Sequence, residues 1–540
     1  MLSLKIDGGV VGVISTLTLW SILSFFVYLA GLTIYRLTLH PLAKYPGPFC
    51  AKITDWYSVY QAYSGDRHLS FAYNHEKYGP VFRYGPNSLS FNTNTALKSI
   101  YGGKPNVEKS QFYSVFPPKK ELFSIHSAID KVAHGRKRRV LSHAFSETAM
   151  KGMEKYILEN VRILCDKLGN HPALKEKAAG EWGPALNMSD WCNYLTFDVM
   201  GELAFGKTFN MLENDEERDV IKLVANASWM HLILGTYPMI KTLGLNKILF
   251  GEIYKRRMQY MAYSKVQFEK RMKVGLETDR KDFFFYLLNA RDPETGRGFT
   301  MPELLGESNL MIIAGSDTTS TTLASAFFYL VYNPHTLQKM ADEVLSTFSD
   351  VEDIRHGPTL NSCVYLRAVV DEAMRISPPV GGMVPRRVLP GGLDVDGFHI
   401  PEGIDVGIAA YPLHHNPNYF NAPEKFIPER WISDSMPGIT KETVALANSA
   451  YTPFSIGNRA CIGKPLAYDE VMMTLARVVF MYEFRLAPGT SAGEGRPELA
   501  WGRHNREEYQ LKDAFTSFKD GPYIQFRARV QENGLQEIAE

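Results

Sequence analysis

Phe454-Ser455-Ile456-Gly457-Asn458-Arg459-Ala460-Cys461-Ile462-Gly463 is the stretch on which the reading of this chain turns. Two glycines and an arginine bracket one cysteine, and an apolar helical pattern runs on from there to about Tyr482. Gly457 permits a tight turn and close approach to a flat cofactor, where a Cβ would be in the way. A cysteine at a helix N-terminus meets exposed amide N–H groups and the positive end of the dipole, both of which favour a thiolate. An iron-bound thiolate in turn donates electron density that favours O–O cleavage. A lone cysteine is more commonly an inert buried residue, so the loop has to be weighed with other segments.

Three such segments stand out. Glu372-Ala373-Met374-Arg375 places an acid and a base three apart on one helical face, where they can pair. Ala314-Gly315-Ser316-Asp317-Thr318-Thr319 puts an acid and hydroxyls in the middle of a long apolar helix, where unsatisfied polar groups are costly. A threonine there can also bond back to the carbonyl four residues earlier. His134-Gly135-Arg136-Lys137-Arg138-Arg139 is a basic helix start, and Pro385-Arg386-Arg387 a second basic cluster.

Together these resemble the cytochrome P-450 family, whose haem-binding loop reads Phe-x-x-Gly-x-Arg-x-Cys-x-Gly. Phe454, Gly457, Arg459, Cys461 and Gly463 match all five fixed positions. The resemblance implies that Cys461 is the axial ligand of a haem b iron. It makes Glu372, Arg375 and Arg430, the last from Phe426-Ile427-Pro428-Glu429-Arg430-Trp431, a buried structural triad. Asp317 and Thr318 become the catalytic pair, Thr318 holding water where oxygen binds and Asp317 relaying protons, with Ala314 and Gly315 leaving room for oxygen and substrate. His134 and Arg138 stand where the family usually has Trp-x-x-x-Arg. With Arg386 (or Arg387, one register on) and Arg459, they are expected to hold the haem propionates by charge-assisted bonds. Arg136, Lys137 and Arg139 read as a solvated face or a docking patch for an acidic reductase.

The rest of the chain is compatible with this. Its 540 residues carry 59 Lys plus Arg against 58 Asp plus Glu, a balance that argues against a dedicated nucleic-acid binder. Five cysteines without paired spacing form neither a disulfide framework nor a zinc site. Val10–Tyr35 is 26 residues without a charge, roughly 39 Å as a helix and enough to cross a bilayer. Arg36 and Lys44 follow it, which places the downstream chain on the cytoplasmic side. The expected division is a lumenal tail at 1–9, a transmembrane anchor at 10–35, a basic, proline-rich hinge at 36–50 and a haem-thiolate catalytic domain at 51–540.

A mainly α fold with small β-sheets is expected, the cytochrome P-450 fold by resemblance. A hairpin is read at Tyr78–Phe91, a long helix at Pro302–Val331, a helix near Leu366–Ile376 and short strands within Val384–Pro412. Strand-like alternation closes the chain at Tyr523–Arg529. Substrate-lining segments are expected at Val107–Ile125, Phe205–Tyr237, near Ile313, at Val380–Val384 and at Phe515-Thr516. Asn187 and Asn226 match glycosylation sequons, which a cytoplasmic body would leave unused.

The implied function is a monooxygenase of the endoplasmic reticulum membrane acting on a small, largely apolar substrate. NADPH electrons would arrive through a separate flavoprotein reductase, with cytochrome b5 a further partner, because no nucleotide-binding glycine loop follows a strand here. Motif style resembles fungal members of secondary-metabolite pathways. Two alternatives share the cysteine loop. A haem-thiolate isomerase, dehydratase or peroxide-using enzyme often lacks the acid–threonine pair, and a membrane-tethered haem sensor or carrier does not need it.

Overall fold

The computed structural model describes residues 10–117, 119–169, 181–275 and 280–529. The expected lumenal tail at 1–9 and the last residues of the expected catalytic domain lie outside them. The principal helices are α1 (Val10–Thr38), α2 (Lys131–Ser142), α3 (Glu147–Gly169), α4 (Met188–Phe205), α5 (Asp219–Thr236), α6 (Gly251–Val274), α7 (Met301–Tyr332), α8 (Val364–Ile376) and α9 (Lys464–Met481).

Helix α7 is the axis of the body. Thr300 and Glu303 form a reciprocal capping box at its start, and Pro302 occupies the first turn, where a missing N–H costs nothing. From Thr319 to Leu330 every residue is buried, and the hydroxyls of Ser320, Thr321, Thr322 and Ser325 are satisfied by carbonyls of the same helix. Met200 of α4 explains Gly315: a Cβ there would lie 2.6 Å from the Met200 sulfur. Gly315 therefore serves the close crossing of α4 and α7, and it also lines the cavity described below. Helices α3, α4, α7, α8 and α9 share one continuous apolar core that includes Met153, Phe197, Phe327, Val369 and Val478.

A five-stranded sheet flanks this core. Its strands β1 (Val81–Gly85), β2 (Ser88–Phe91), β3 (Val107–Lys109), β4 (Arg386–Val388) and β5 (Asp405–Ile408) run in the order β1-β2-β5-β4-β3. The β1–β2 hairpin lies where Gly-Pro turns and alternation place it. Strand β4 pairs with both β5 and β3, bringing Lys109 directly opposite Arg386. Near the C-terminus come β6 (Tyr482–Leu486), the hairpin β7 (Lys512–Ala514) and β8 (Thr516–Phe518), and β9 (Tyr523–Ala528). Phe515, at a φ of 77°, turns the β7–β8 hairpin.

Two boundaries differ from the sequence reading. Helix α1 runs on through Thr38, and the segment after it is packed, not free: Leu42 and Tyr45 are buried, and Arg83 donates to the Arg36 carbonyl at 2.8 Å. Helix α9 begins at Lys464, not Cys461. Gly463 is its cap and Pro465 sits in the first turn, while Gly457–Arg459 form a separate 3₁₀ turn.

Candidate active site

Cys461 sits between that turn and the α9 cap, where the extended Ala460 ends the turn and the Cys461 N–H donates to the Phe454 carbonyl at 2.8 Å. Burial pushes the Cys461 thiol up. The Gly463 and Lys464 N–H groups and the charges of Arg138 and Lys464 pull the other way without overcoming it. A cation bonded to sulfur would supply the missing stabilisation, which is what a metal-bound thiolate requires. Phe454 lies 5.2 Å from Tyr468 of α9, ring to ring. Gly457 has a φ of 71°, and a Cβ there would collide with the Tyr101 carbonyl. A neighbouring backbone is thus by itself enough to require glycine at this position. Gly463, by contrast, has room for a Cβ, 3.9 Å from the Cys461 sulfur.

The thiol opens into a cavity of about 460 Å³. Along one wall stand His134 and Arg138 from α2, Arg386 from β4, Arg459 from the cysteine loop, and Lys109 from β3. Arg138 donates to the Ala460 carbonyl at 2.6 Å, and Arg459 donates to the carbonyls of Ala128 and Ile129. Arg386 reaches the Val384 and Pro385 carbonyls, both at 3.1 Å, and stacks over Tyr101. Arg387 donates to the Gly403 carbonyl at 3.4 Å and does not line this cavity.

These cations crowd one another. Burial, then Arg459, Lys109, Arg138 and Arg386, drive His134 down to about 2, so it is neutral. Burial and Arg386 bring Arg459 down to about 10. Burial followed by Arg386 and Arg459 pushes Lys109 well below its ordinary value. Like charges directly opposite on paired strands destabilise a sheet, and Lys109 and Arg386 are such a pair. None of the four charged members is in an ion pair with a carboxylate among the described residues. A group bringing two carboxylates to this wall fits these residues; an apolar ligand does not. Lys109 was missed as a site residue because a lone lysine in a three-residue strand carries no motif.

Opposite Cys461, α7 presents Ala314, Thr318 and Thr322 to the cavity. Thr318 Oγ1 donates to the Ala314 carbonyl at 2.7 Å, the local back-bond open to any helical threonine. Asp317 points elsewhere. It is buried outside the cavity wall, its Oδ1 3.5 Å from Lys519 Nζ, and its Oδ2 has no partner among the described residues. Lys519 also donates to Asn193 of α4 at 3.0 Å. The acid and the threonine therefore occupy two sides of one helical turn.

Glu372, Arg375 and Arg430 do come together, away from the cavity. Both Glu372 oxygens meet Arg375 at 2.9 Å, and Oε1 also accepts from Arg430 Nε at 2.9 Å. Trp431 Nε1 and the Ile427 N–H complete five donors, at 3.0 Å each. The guanidinium of Arg375 goes on to the carbonyls of His414, Pro423 and Lys425, tying α8 to the segment before the cysteine loop.

The basic run on α2 is not a free face. Lys137 is fully buried against Glu307 at 3.1 Å and Glu303 at 3.3 Å, Arg136 pairs with Glu303, and Arg139 pairs with Asp292 at 2.6 Å. Lys137 is spent inside the molecule, while Arg136 and Arg139 stay partly exposed with acidic partners beside them, Arg139 also meeting the exposed Glu294 at 2.8 Å. Their acidic partners are spread over residues 292–307, a distance in sequence that no local pattern reveals.

A sequence model of cytochrome P-450 matches residues 51–501. The chain belongs to the cytochrome P-450 family. It is 39% identical over 503 residues to cytochrome P-450 monooxygenase AKT7 of Alternaria alternata, covering 93% of this chain and 95% of that one. It is 38% identical over 536 residues to cytochrome P-450 monooxygenase apf7 of Gibberella fujikuroi, covering 96% and 99%. Trichothecene C-15 hydroxylase of Fusarium sporotrichioides is 34% identical over 508 residues, covering 90% and 97%. As a cytochrome P-450 the chain is a haem-thiolate monooxygenase, and the cation-lined wall above suits the two carboxylates of its haem. The relatives' names weigh against the isomerase and carrier alternatives.

The expected substrate-lining segments largely reach the cavity, through Tyr113 and Phe116, Val224 and His231, Ile313, Val380 and Val384, and Phe515 and Thr516. Helix α6 was missed. It contributes Arg257, Tyr260 and Met261 from a sequence whose charged pattern reads as solvated. Asn187 is the cap of α4 and bonds Asp520 at 2.9 Å, while Asn226 lies mid-way along α5.

Proposed function

We propose that this cytochrome P-450 is anchored in the endoplasmic reticulum membrane and performs one tailoring oxidation on a small, largely apolar molecule of a fungal secondary-metabolite pathway. Electrons come from NADPH through a separate flavoprotein reductase, with cytochrome b5 as a second donor. The observation that carries the reading is one cavity with Cys461 on one side, Thr318 on the other and four uncompensated cations between. The fungal monooxygenases among its relatives, one of them named for trichothecene hydroxylation, support the pathway type.

The haem, when bound, supplies reductive activation of dioxygen. The residues of the chain do the rest. Cys461 holds the iron, and the Gly463 and Lys464 N–H groups hold the sulfur. Arg138, Arg386, Arg459 and Lys109, with neutral His134 as a hydrogen-bonding partner, orient the propionates. Thr318 Oγ1 can exchange the Ala314 carbonyl for a water in the cavity. Asp317, taking a proton from the Lys519 ammonium as it rotates away, would pass it toward that hydroxyl. The triad of Glu372, Arg375 and Arg430 acts at a distance by fixing the frame of the cysteine loop.

Anchoring is supported by α1, whose apolar window Gly12–Thr38 is 0% buried. Exposed Trp56, Tyr60, Leu243, Leu245, Ile248 and Leu249 add apolar surface on the body. The assignment is of an anchor at 10–35, a packed hinge at 36–50 and a catalytic domain beyond.

A carbon-monoxide difference spectrum of the reduced holoprotein tests the ligand. A thiolate-type band is expected, and its absence in a fully haem-loaded preparation would overturn the assignment. Oxygen uptake dependent on NADPH, reductase and substrate then tests the reaction.

A further inference from the structure

The cavity is not apolar throughout. At the end walled by α5, α6 and the β7–β8 hairpin, three buried polar side chains have no partner. His231, Tyr260 and Thr516 are 8%, 6% and 6% exposed, and His231 Nε2, Tyr260 OH and Thr516 Oγ1 bond to nothing among the described residues. All three line the cavity. Buried donors and acceptors left unmade are costly to the fold, so such a cluster points to a ligand that completes it.

Arg257 gives the cluster its sign. This guanidinium lines the same cavity, donates to the Phe116 carbonyl at 2.8 Å and makes no ion pair among the described residues. Tyr260 follows it by three residues, on the same face of α6. Phe116 links the members: its ring stacks on His231 at 5.0 Å and meets Phe515, the neighbour of Thr516, at 5.3 Å. Burial first, then Arg257, Lys241 and His126, push His231 well below its ordinary value, and none of these neighbours is acidic. The cavity's carboxylates cannot answer Arg257. Glu307 is tied to Lys137 and the Ile125 N–H, and Glu470 belongs to α9, the helix that follows Cys461.

We propose that the substrate is a largely apolar molecule bearing a carboxylate, which Arg257 pairs with while His231, Tyr260 and Thr516 hydrogen-bond around it. This deepens the monooxygenase reading and rests on it. The arrangement separates a charged anchor from the oxygen-binding segment of α7, so the substrate is held by its acid group while an apolar part faces the iron. A charged partner discriminates far more strongly than apolar walls can.

The test uses the haem-loaded full chain in detergent micelles. Straight-chain fatty acids from octanoate to hexadecanoate and their methyl esters are titrated, binding being read from the haem absorption shift and independently from calorimetric heat. At neutral pH the best acid should bind at least about tenfold more tightly than its ester, as a charge-assisted bond warrants. Arg257→Gln should remove that preference by weakening the acid alone, and Arg257→Lys should restore part of it. Esters matching the acids, no binding by either series, or an equal loss of both in Arg257→Gln would overturn the proposal. A carbon-monoxide spectrum on each preparation separates the two claims. If the wild type lacks the thiolate band, the monooxygenase reading fails; with the band intact and no acid preference, only the carboxylate site fails.

Discussion

Replacing Glu372 by Ala should yield protein that does not retain haem, although Glu372 lies outside the cavity. The side chain is fully buried and accepts five N–H donors, three of them from two guanidiniums. Burial alone pushes its carboxyl up, but Arg375 and Arg430 together hold it below the usual range. Removing it leaves Arg375 and Arg430 as buried like charges without a counter-ion, a loss of about 3–5 kcal/mol. The donors of Ile427 and Trp431 add about 1–3 kcal/mol each if left unmade. Against a total stability of about 5–15 kcal/mol, this is enough to unfold most of the chain. Glu372→Gln keeps an acceptor but drops the charge, so it should lie between wild type and Ala. The assay is the haem-to-protein ratio of purified protein with thermal unfolding followed in parallel. Normal haem loading and an unchanged midpoint in Glu372→Ala would refute the reasoning. Because the folded carboxyl titrates lower than the unfolded one, its contribution is complete above the unfolded value and is lost as pH falls through the folded value.

Thr318→Ala should keep haem and the carbon-monoxide band but lower product formed per NADPH consumed, with peroxide rising; unchanged coupling in a peroxide assay would refute the role. Gly457→Ala should lose haem even under mild conditions, because the new Cβ meets the Tyr101 carbonyl at a φ of 71°; haem retention in gel filtration checks this. Lys109→Gln should relieve the cation crowding before haem binds yet weaken haem retention, measured by transfer to apomyoglobin; faster loss without loss of apoprotein stability is expected. Acid should destabilise the protein below about pH 6.5, the ordinary histidine value, because burial above all brings His75, His134 and His414 down to about 4, 2 and 3. Between those values the unfolded chain binds more protons, so stability rises with pH across the window and is lost on acidification; unfolding midpoints from pH 4 to 8 check it.

Much of the architecture was legible because it follows from local chemistry. The long apolar run opened by Pro302 announces α7, Gly-Pro turns announce the β1–β2 hairpin, and a spacing of three announces the Glu372–Arg375 pair. The cysteine loop was legible as a motif, but its reasons were not. Gly457 is required by the Tyr101 carbonyl and Gly315 by Met200, contacts made across about 356 and 115 residues of chain respectively. Charges were the hardest to place. Arg136, Lys137 and Arg139 read as solvent-facing because their partners lie on other elements. Lys109 and Arg257 carry no motif, and only the tertiary fold brings the one opposite Arg386 and the other into the cavity.

That last pair also explains how one cavity can take two ligands without confusing them. Lys109, Arg138, Arg386 and Arg459 form a cationic wall reached from β3, α2, β4 and the cysteine loop, all elements fixed by the sheet or by the thiolate loop. Arg257 stands on α6, apart from that wall, and acts on His231, whereas the wall acts on His134. His126 lies between: its carbonyl accepts from Lys109, while its ring packs against Phe116 and Phe515. Three of the wall's four cations thus come from elements that the family motifs mark, while Lys109 and Arg257 come from elements where no motif falls. A cofactor common to a family requires the first arrangement. A substrate particular to one member is free to select the second, which is why Arg257 and the partnerless groups around it, more than the cysteine loop, decide which molecule is oxidised.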